Sequence, residues 1–157
     1  MTVTQAIPDL SYLFNHTSHV LKTQMTAALA EIGLTPRMHC VLVHALEEER
    51  TQIQLAELGD MDKTTMVVTM DALEKAGYAE RRPSSHDRRA RIVKVTERGA
   101  EIVERSRQIV DRVHGAVLEA LPEDEREVFL RAMERLAGGH LAEPVEAQCR
   151  RPRERAR

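Results

Sequence analysis

Apolar residues recur every three or four positions in several stretches of the chain, which is the period of a helix with one buried side. The first such stretch spans residues 9–32 and ends at Gly33. A second begins at Pro36, a residue that suits the first helical position, and closes at the acidic run 47–49. The pattern predicts two helices. The apolar positions of the first are Leu10, Phe14, Leu21, Met25, Leu29 and Ile32.

Two shorter helices are predicted next. Thr51 and Gln54 form a capping-box pattern, in which each side chain accepts a hydrogen bond from the other residue's backbone amide, so a third helix begins there. Asp62 can cap a fourth helix, and Gly77 suits the left-handed conformation that follows a helix end. The expected buried positions of this pair of helices are Leu55, Leu58, Met66, Met70 and Leu73.

Beyond the fourth helix the pattern becomes that of strands. The segments YAERR and RIVKVT flank a stretch rich in turn residues, which predicts a β-hairpin. Thr96 can cap a long helix after the hairpin, and Pro122 can begin a final helix. The expected packed positions are Val103, Ser106, Val110, Val113, Val117 and Ala120 on the long helix, and Val128, Phe129, Ala132, Met133 and Leu136 on the last.

Charge is unevenly distributed along this chain of 157 residues, whose formal net charge is −2. Residues 62–95 carry eight Lys or Arg against five Asp or Glu, a net charge of +3, and residues 144–157 also carry +3. The remainder is acidic. Such segregation indicates a local anionic partner rather than a uniformly basic protein.

Several classes of protein are disfavoured by the sequence. No apolar run approaches the roughly 18 residues of a membrane span, and the first ten residues lack the features of a secretory signal, so we expect a cytoplasmic protein without membrane contact. Cys40 and Cys149 have no metal-ligand spacing. The sequence shows no catalytic nucleophile with a general base, no metal-ligand cluster and no phosphate-binding glycine loop. We therefore expect neither an enzyme nor a cofactor.

The order of elements is that of a winged helix-turn-helix, in which the second helix of the pair enters the major groove and the hairpin, or wing, contacts the neighbouring backbone or minor groove. The segment DKTTMVVTMDALEKAGYAERRPSSHDRRARIVKVTERG resembles the signature region of MarR-family transcriptional regulators. The resemblance extends over nearly all of residues 9–140.

This resemblance implies a mainly α fold with a small β-hairpin wing, in which the winged helix-turn-helix is inserted between long dimerisation helices. It divides the chain into a dimerisation helix (1–34), a DNA-binding region (35–96), C-terminal dimerisation helices (97–140) and a basic tail (141–157) that we expect to be disordered. It also implies a homodimer that binds a pseudo-palindromic DNA operator, commonly as a ligand-responsive repressor.

The expected DNA contacts lie on the fourth helix and the wing. Asp87 and Arg89 match the family's Asp-x-Arg, in which the carboxylate holds the guanidinium extended toward the minor groove. Val67 and Val68 depart from the family's frequent Thr and Arg, so either they contact thymine methyl groups or they only pack. The candidate DNA-binding residues are Lys63, Thr64, Thr65, Val68, Asp87, Arg88, Arg89 and Arg91.

A small anionic or phenolic effector is also implied by the resemblance. The candidate ligand-binding residues are His16, His19, Arg37 and His39, which the sequence places near the starts of the first two helices. Surface or core histidines are the alternative. Two further alternatives are a metal-responsive or a redox-responsive regulator, the latter using Cys40. A winged-helix module that binds proteins instead of DNA remains a third.

Overall fold

The structure, a computed structural model, describes residues 8–84 and 90–145. Within these ranges the chain forms six helices and one hairpin. The helices are α1 (Leu10–Ala30), α2 (Pro36–Glu47), α3 (Gln52–Leu58), α4 (Lys63–Ala76), α5 (Glu97–Glu119) and α6 (Glu123–Ala137), and the strands are β1 (Ala79–Pro83) and β2 (Arg91–Val95). The predicted fold class, mainly α with a small hairpin, is confirmed.

The ends of the short helices are set by the predicted capping residues. Thr51 and Gln54 form a complete capping box at the start of α3. Asp62 caps α4, and Gly77 follows its last residue with φ 74°, a left-handed conformation that glycine adopts without steric cost. Local chemistry therefore fixes both helices of the helix-turn-helix.

The first of two compact units, Met1–Gly115, contains the hydrophobic core. The end of α1, helices α2, α3 and α4, the hairpin and the first half of α5 contribute to it. The largest fully buried side chains are Leu29, Leu42, Leu55, Met70, Leu73, Val41, Val93, Val103 and Ser106. The prediction that Leu58 is buried is wrong, since its side chain is 49% exposed. It is the last residue of α3, about 60° around the helix from Leu55, at the edge of the buried side.

The hairpin is anchored to the helix-turn-helix by a third extended segment. Strands β1 and β2 pair antiparallel, from Ala79 opposite Val95 to Pro83 opposite Arg91. On the other edge of β2, Thr51 forms an isolated bridge with Ile92. The N–H of Val93 donates to the carbonyl of Arg50 at 3.1 Å. The chain just before α3 therefore holds the hairpin in place.

The second unit, Ala116–Arg157, includes the end of α5 and all of α6. No residue of α6 is buried, and Val128, Phe129 and Met133 are all exposed. The prediction that its apolar side is buried is therefore wrong for the single chain, and Val117 on α5 is likewise 37% exposed. Helical periodicity identifies an apolar side but does not identify what covers it. The predicted basic tail lies, from residue 146 on, outside the described residues.

Candidate nucleic-acid interface

Helix α4 is held by its cap and by one buried side. Asp62 Oδ1 accepts from the Thr65 N–H at 2.8 Å, and Oδ2 accepts from the Thr65 hydroxyl at 2.7 Å. These two hydrogen bonds lower the pKa of the Asp62 carboxyl, so the cap is ionised at neutral pH. Three apolar residues of α4 are buried, as predicted: Met66, Met70 and Leu73.

The opposite side of α4 faces outward. Lys63 and Thr64 are exposed, and so are the two consecutive valines, Val67 at 42% and Val68 at 63%. Neither valine packs into the core of the single chain. The sequence left two alternatives for these valines, contact with thymine methyl groups or packing within the fold. Their exposure shows that packing within the single chain does not explain them.

Arg81 on β1 joins the hairpin to both helices of the helix-turn-helix. Its Nε donates to Gln52 of α3 at 3.0 Å, and one terminal nitrogen donates to Asp71 of α4 at 2.7 Å. The other terminal nitrogen pairs with Glu74 of α4, whose second carboxylate oxygen accepts from the Arg81 backbone N–H at 2.9 Å. This guanidinium therefore neutralises two carboxylates of α4.

The remaining described cations of the hairpin differ in their surroundings. Arg82 forms an ion pair with Glu80 on the same strand. Arg91 and Lys94 on β2 are exposed, and neither forms an ion pair with another described residue. Asp87, Arg88 and Arg89, three of the predicted DNA contacts, lie outside the described residues. Within the described hairpin, Arg82, Arg91 and Lys94 are all exposed, and Arg91 and Lys94 are the two of them without an ion pair to another described residue.

A groove of about 640 Å³ lies between α3, the start of α4 and the first residues of β2. Its lining is mostly apolar. The residues that line it include Ile53, Ala56, Met61, Met66 and Val67, together with Glu57, Lys63 and Arg91. Ile53 is 73% exposed and was not among the residues predicted for the site. In the sequence, Ile53 could have been identified because it does not lie on the side of α3 that Leu55 places in the core.

The four candidate ligand-binding residues do not form one hydrogen-bonded cluster among the described residues. His16 and His19 are exposed on α1, where the His16 ring stacks on Tyr12 with centroids 5.4 Å apart. Arg37 is exposed at the start of α2. His39 is half-buried. No hydrogen bond or ion pair between described residues connects these side chains to one another.

His39 connects α2 to α5. Its Nδ1 lies 2.8 Å from Ser106 Oγ, and the Ser106 hydroxyl donates to the Val103 carbonyl at 2.8 Å. Because a hydroxyl has one proton, Ser106 Oγ accepts the hydrogen bond from His39, so the proton of the neutral imidazole is on Nδ1. Burial, followed by the charges of Arg107 and His114, lowers the pKa of His39 below 6.5.

This lowered pKa predicts a pH dependence of stability. The unfolded imidazole takes up a proton below its ordinary pKa of about 6.5, whereas the folded one does so only at lower pH. The stability that His39 contributes is therefore fully present above that value and is lost as pH falls through the folded pKa. In His39→Asn, whose amide can still donate to Ser106, we expect a smaller decrease in Tm between pH 7 and 5 than in the wild type. Identical decreases would exclude this role.

Metal and redox sensing find little support in the described residues. No group of three or more His, Cys, Asp or Glu side chains within them is arranged to hold a metal ion. Burial raises the pKa of the half-buried Cys40 thiol, and the charge of Asp60 raises it further. Since the thiolate is the reactive form, this environment lowers the reactivity of Cys40. No helix among the described residues is long and apolar enough to cross a membrane.

The family match and the similar solved structures point to the same family of proteins. Residues 32–90 match the MarR family. The fold is similar to that of CouR from Rhodococcus jostii bound to p-coumaroyl-CoA, with 26% identity and a TM-score of 0.75 over 92% of this chain and 100% of that one. The transcriptional repressor CouR bound to a 23-mer DNA duplex gives 26% identity and a TM-score of 0.74 over 82% and 92% of the two chains.

A third similar structure is a MarR-family protein of Mycobacterium tuberculosis in complex with p-aminosalicylic acid. It shares 26% identity and a TM-score of 0.69, over 82% of this chain and 98% of that one. The fold and the exposed α4 beside its hairpin define a winged helix-turn-helix protein. The chain is similar to MarR-family transcriptional regulators, both in the family match over residues 32–90 and in the fold that it shares with these solved structures.

Proposed function

We propose that the protein is a sequence-specific DNA-binding repressor that responds to a small ligand and binds a pseudo-palindromic operator as a homodimer. The observation that carries this proposal is the exposed side of α4 beside a hairpin whose cations Arg91 and Lys94 face solvent. A helix of this kind fits the major groove, and cations beside it supply phosphate contacts. The CouR complex with duplex DNA shows a similar fold bound to such a partner.

On α4, the groups offered to base edges are those of Lys63, Thr64, Thr65 and Val68. Lys63 and Thr64 are exposed and suit phosphate or base contacts. The hydroxyl proton of Thr65 is engaged by Asp62, which leaves its oxygen as an acceptor. Val68 offers only methyl groups. With Val68 in place of an arginine, these side chains favour DNA sequences different from those that an arginine at this position would select.

The test of DNA binding is a titration with duplex DNA from upstream of the protein's own gene, followed by fluorescence anisotropy at several salt concentrations. We expect the affinity to fall linearly with salt on logarithmic axes, because each phosphate contact releases condensed counterions. Binding that does not change with salt would contradict the proposal.

In the wing, we propose that Asp87 orients Arg89 toward the minor groove while Arg88 and Arg91 contact phosphates. Arg89→Ala is expected to weaken DNA binding roughly tenfold, since one specific arginine contact is worth about 1 to 3 kcal/mol. Arg82→Ala is the matched control, because Arg82 is already paired with Glu80 on the same strand. Anisotropy titrations at one salt concentration compare the two variants. Equal affinity of Arg89→Ala and wild type would remove Arg89 from the mechanism.

Dimerisation is supported separately by each unit. In the second unit, α6 exposes Val128, Phe129, Leu130 and Met133. In the first unit, the start of α1 exposes Leu10, Leu13 and Phe14. Apolar surface of this extent is typical of an interface between subunits. A two-fold dimer would place two copies of α4 about one DNA turn, roughly 34 to 36 Å, apart. Two chains per duplex in the anisotropy titration would agree with it.

For the effector, we propose a small anionic or phenolic ligand that weakens DNA binding. The support is chemical: Arg37 is exposed and His39 lies close to it in sequence on α2, while His16 and His19 lie on α1. A carboxylate or phenolate suits such donors. The M. tuberculosis relative in complex with p-aminosalicylic acid makes this compound the first probe to add to the DNA complex.

A further inference from the structure

Besides Leu58 at the end of α3, three large aliphatic side chains are exposed on α3 and α4, where a single chain gains nothing by exposing them. They are Ile53 on α3, at 73%, and Val67 and Val68 on α4, at 42% and 63%. We call them the apolar strip. Ile53 and Val67 line the same groove of about 640 Å³, and Val68 follows Val67 directly along α4.

The two valines of the apolar strip lie on the outward side of α4. Val67 and Val68 are about 100° apart around the helix, and the exposed Thr64, one turn earlier, lies between their directions. Leu73, on the opposite side, is fully buried. The side of α4 that a major groove would receive therefore carries two valines and one hydroxyl.

Charge beside the apolar strip favours a polyanion as its occupant. Lys63 and Arg91 line the same groove as Ile53 and Val67. Neither cation forms an ion pair with another described residue, and one carboxylate, Glu57, also lines the groove. An occupant with negative charges around an apolar centre fits these surroundings. The major groove of duplex DNA has that character wherever a thymine presents its methyl group between phosphates.

We infer that the apolar strip determines operator specificity by contacting the 5-methyl groups of thymines in the major groove. The inference rests on the proposed DNA-binding function and deepens it by naming the base that the strip accepts. Thymine is the one base whose major-groove edge carries a methyl group. A valine or isoleucine can neither donate nor accept a hydrogen bond, so a guanine or cytosine there would lose partners for its polar groups. The preferred half-site therefore contains thymines opposite the apolar strip.

Deoxyuridine provides a direct test, because it differs from thymidine only by the missing 5-methyl group. The duplex is first selected by the wild-type protein from a random library, and each thymine is then replaced singly by deoxyuridine. We expect at least one replacement per half-site to weaken wild-type binding about fourfold, the effect of one buried methyl group. Val68→Ala or Ile53→Ala should bind the thymine and deoxyuridine duplexes with nearly equal affinity.

Leu58→Ala is the matched control, since Leu58 is an exposed residue of α3 turned about 140° away from Ile53. It should retain the full thymine preference. If the wild type binds the selected duplex tightly and every deoxyuridine duplex within twofold, the inference is overturned while the DNA-binding function stands. If the protein selects no duplex at all, both are overturned.

Discussion

Gly99→Ala is expected to lower the free energy of unfolding by about 3 kcal/mol, the upper end of the usual cost of overpacking. A Cβ at Gly99 would lie 1.9 Å from the Tyr78 carbonyl oxygen and 2.7 Å from a methyl group of Val95. The oxygen belongs to the backbone, and it accepts from the Thr96 N–H at 3.0 Å. It cannot move without breaking the connection between the hairpin and α5. Chemical denaturation followed by circular dichroism measures the change.

Gly115→Ala on the same helix is the control, because a Cβ there meets no described atom within 4 Å. Alanine is preferred over glycine inside a helix by about 1 kcal/mol, so this variant should be as stable as the wild type or more so. The two alanine substitutions on α5 are thus predicted to act in opposite directions. A Gly99→Ala protein with wild-type stability would show that the chain tolerates a side chain at this contact.

Features of the fold that depend on neighbouring residues were predicted from the sequence, whereas features that depend on residues distant along the chain were not. The bounds of α4 were predicted because Asp62 and Gly77, at its two ends, act within one helical turn. The buried side of α4 was predicted because helical period alone assigns it. The hairpin was predicted because its two segments, rich in β-branched or aromatic residues, flank a stretch of turn residues, which is again a local pattern.

What the sequence did not predict depends on residues distant along the chain. The bridge from Thr51 to Ile92 joins segments about forty positions apart and carries no local pattern. The exposure of Val68 followed from its position opposite the buried side of α4, but that of Ile53 was not predicted, because an apolar residue off the buried side of a short helix is compatible with several environments. The uncovered side of α6 was mispredicted, because none of its residues is buried by the part of the chain that the structure describes.

The partners of Arg81 in the wing lie on α3 and α4 and were also not predicted from the sequence. In the sequence, Arg81 belongs to a basic cluster, and its interpretation was a partly structural role without identified partners. The structure directs its guanidinium inward to Gln52, Asp71 and Glu74, with 24% of its side chain exposed. Its role in DNA binding would then be positioning, since it fixes β1 against α4 and cancels two negative charges on that helix.

Arg81→Ala is therefore expected to weaken DNA binding roughly thirtyfold, because the hairpin loses its link to α4. Its dependence on salt should stay that of the wild type, since a residue that contacts no phosphate releases no counterion. Arg91→Ala should show the reverse: a smaller loss of affinity and a logarithmic salt slope reduced by about 1. Anisotropy titrations at four or more salt concentrations give both quantities for each variant.

Arg81→Lys separates geometry from charge. A lysine keeps the positive charge, but its single ammonium group lacks the planar fork that reaches Asp71 and Glu74 together while Nε donates to Gln52. We expect its affinity to lie between those of Arg81→Ala and the wild type, again with an unchanged salt slope, in protein that circular dichroism shows to be folded. A slope reduced by about 1 in Arg81→Ala would instead identify Arg81 as a phosphate contact, because only a lost phosphate contact changes the number of released counterions.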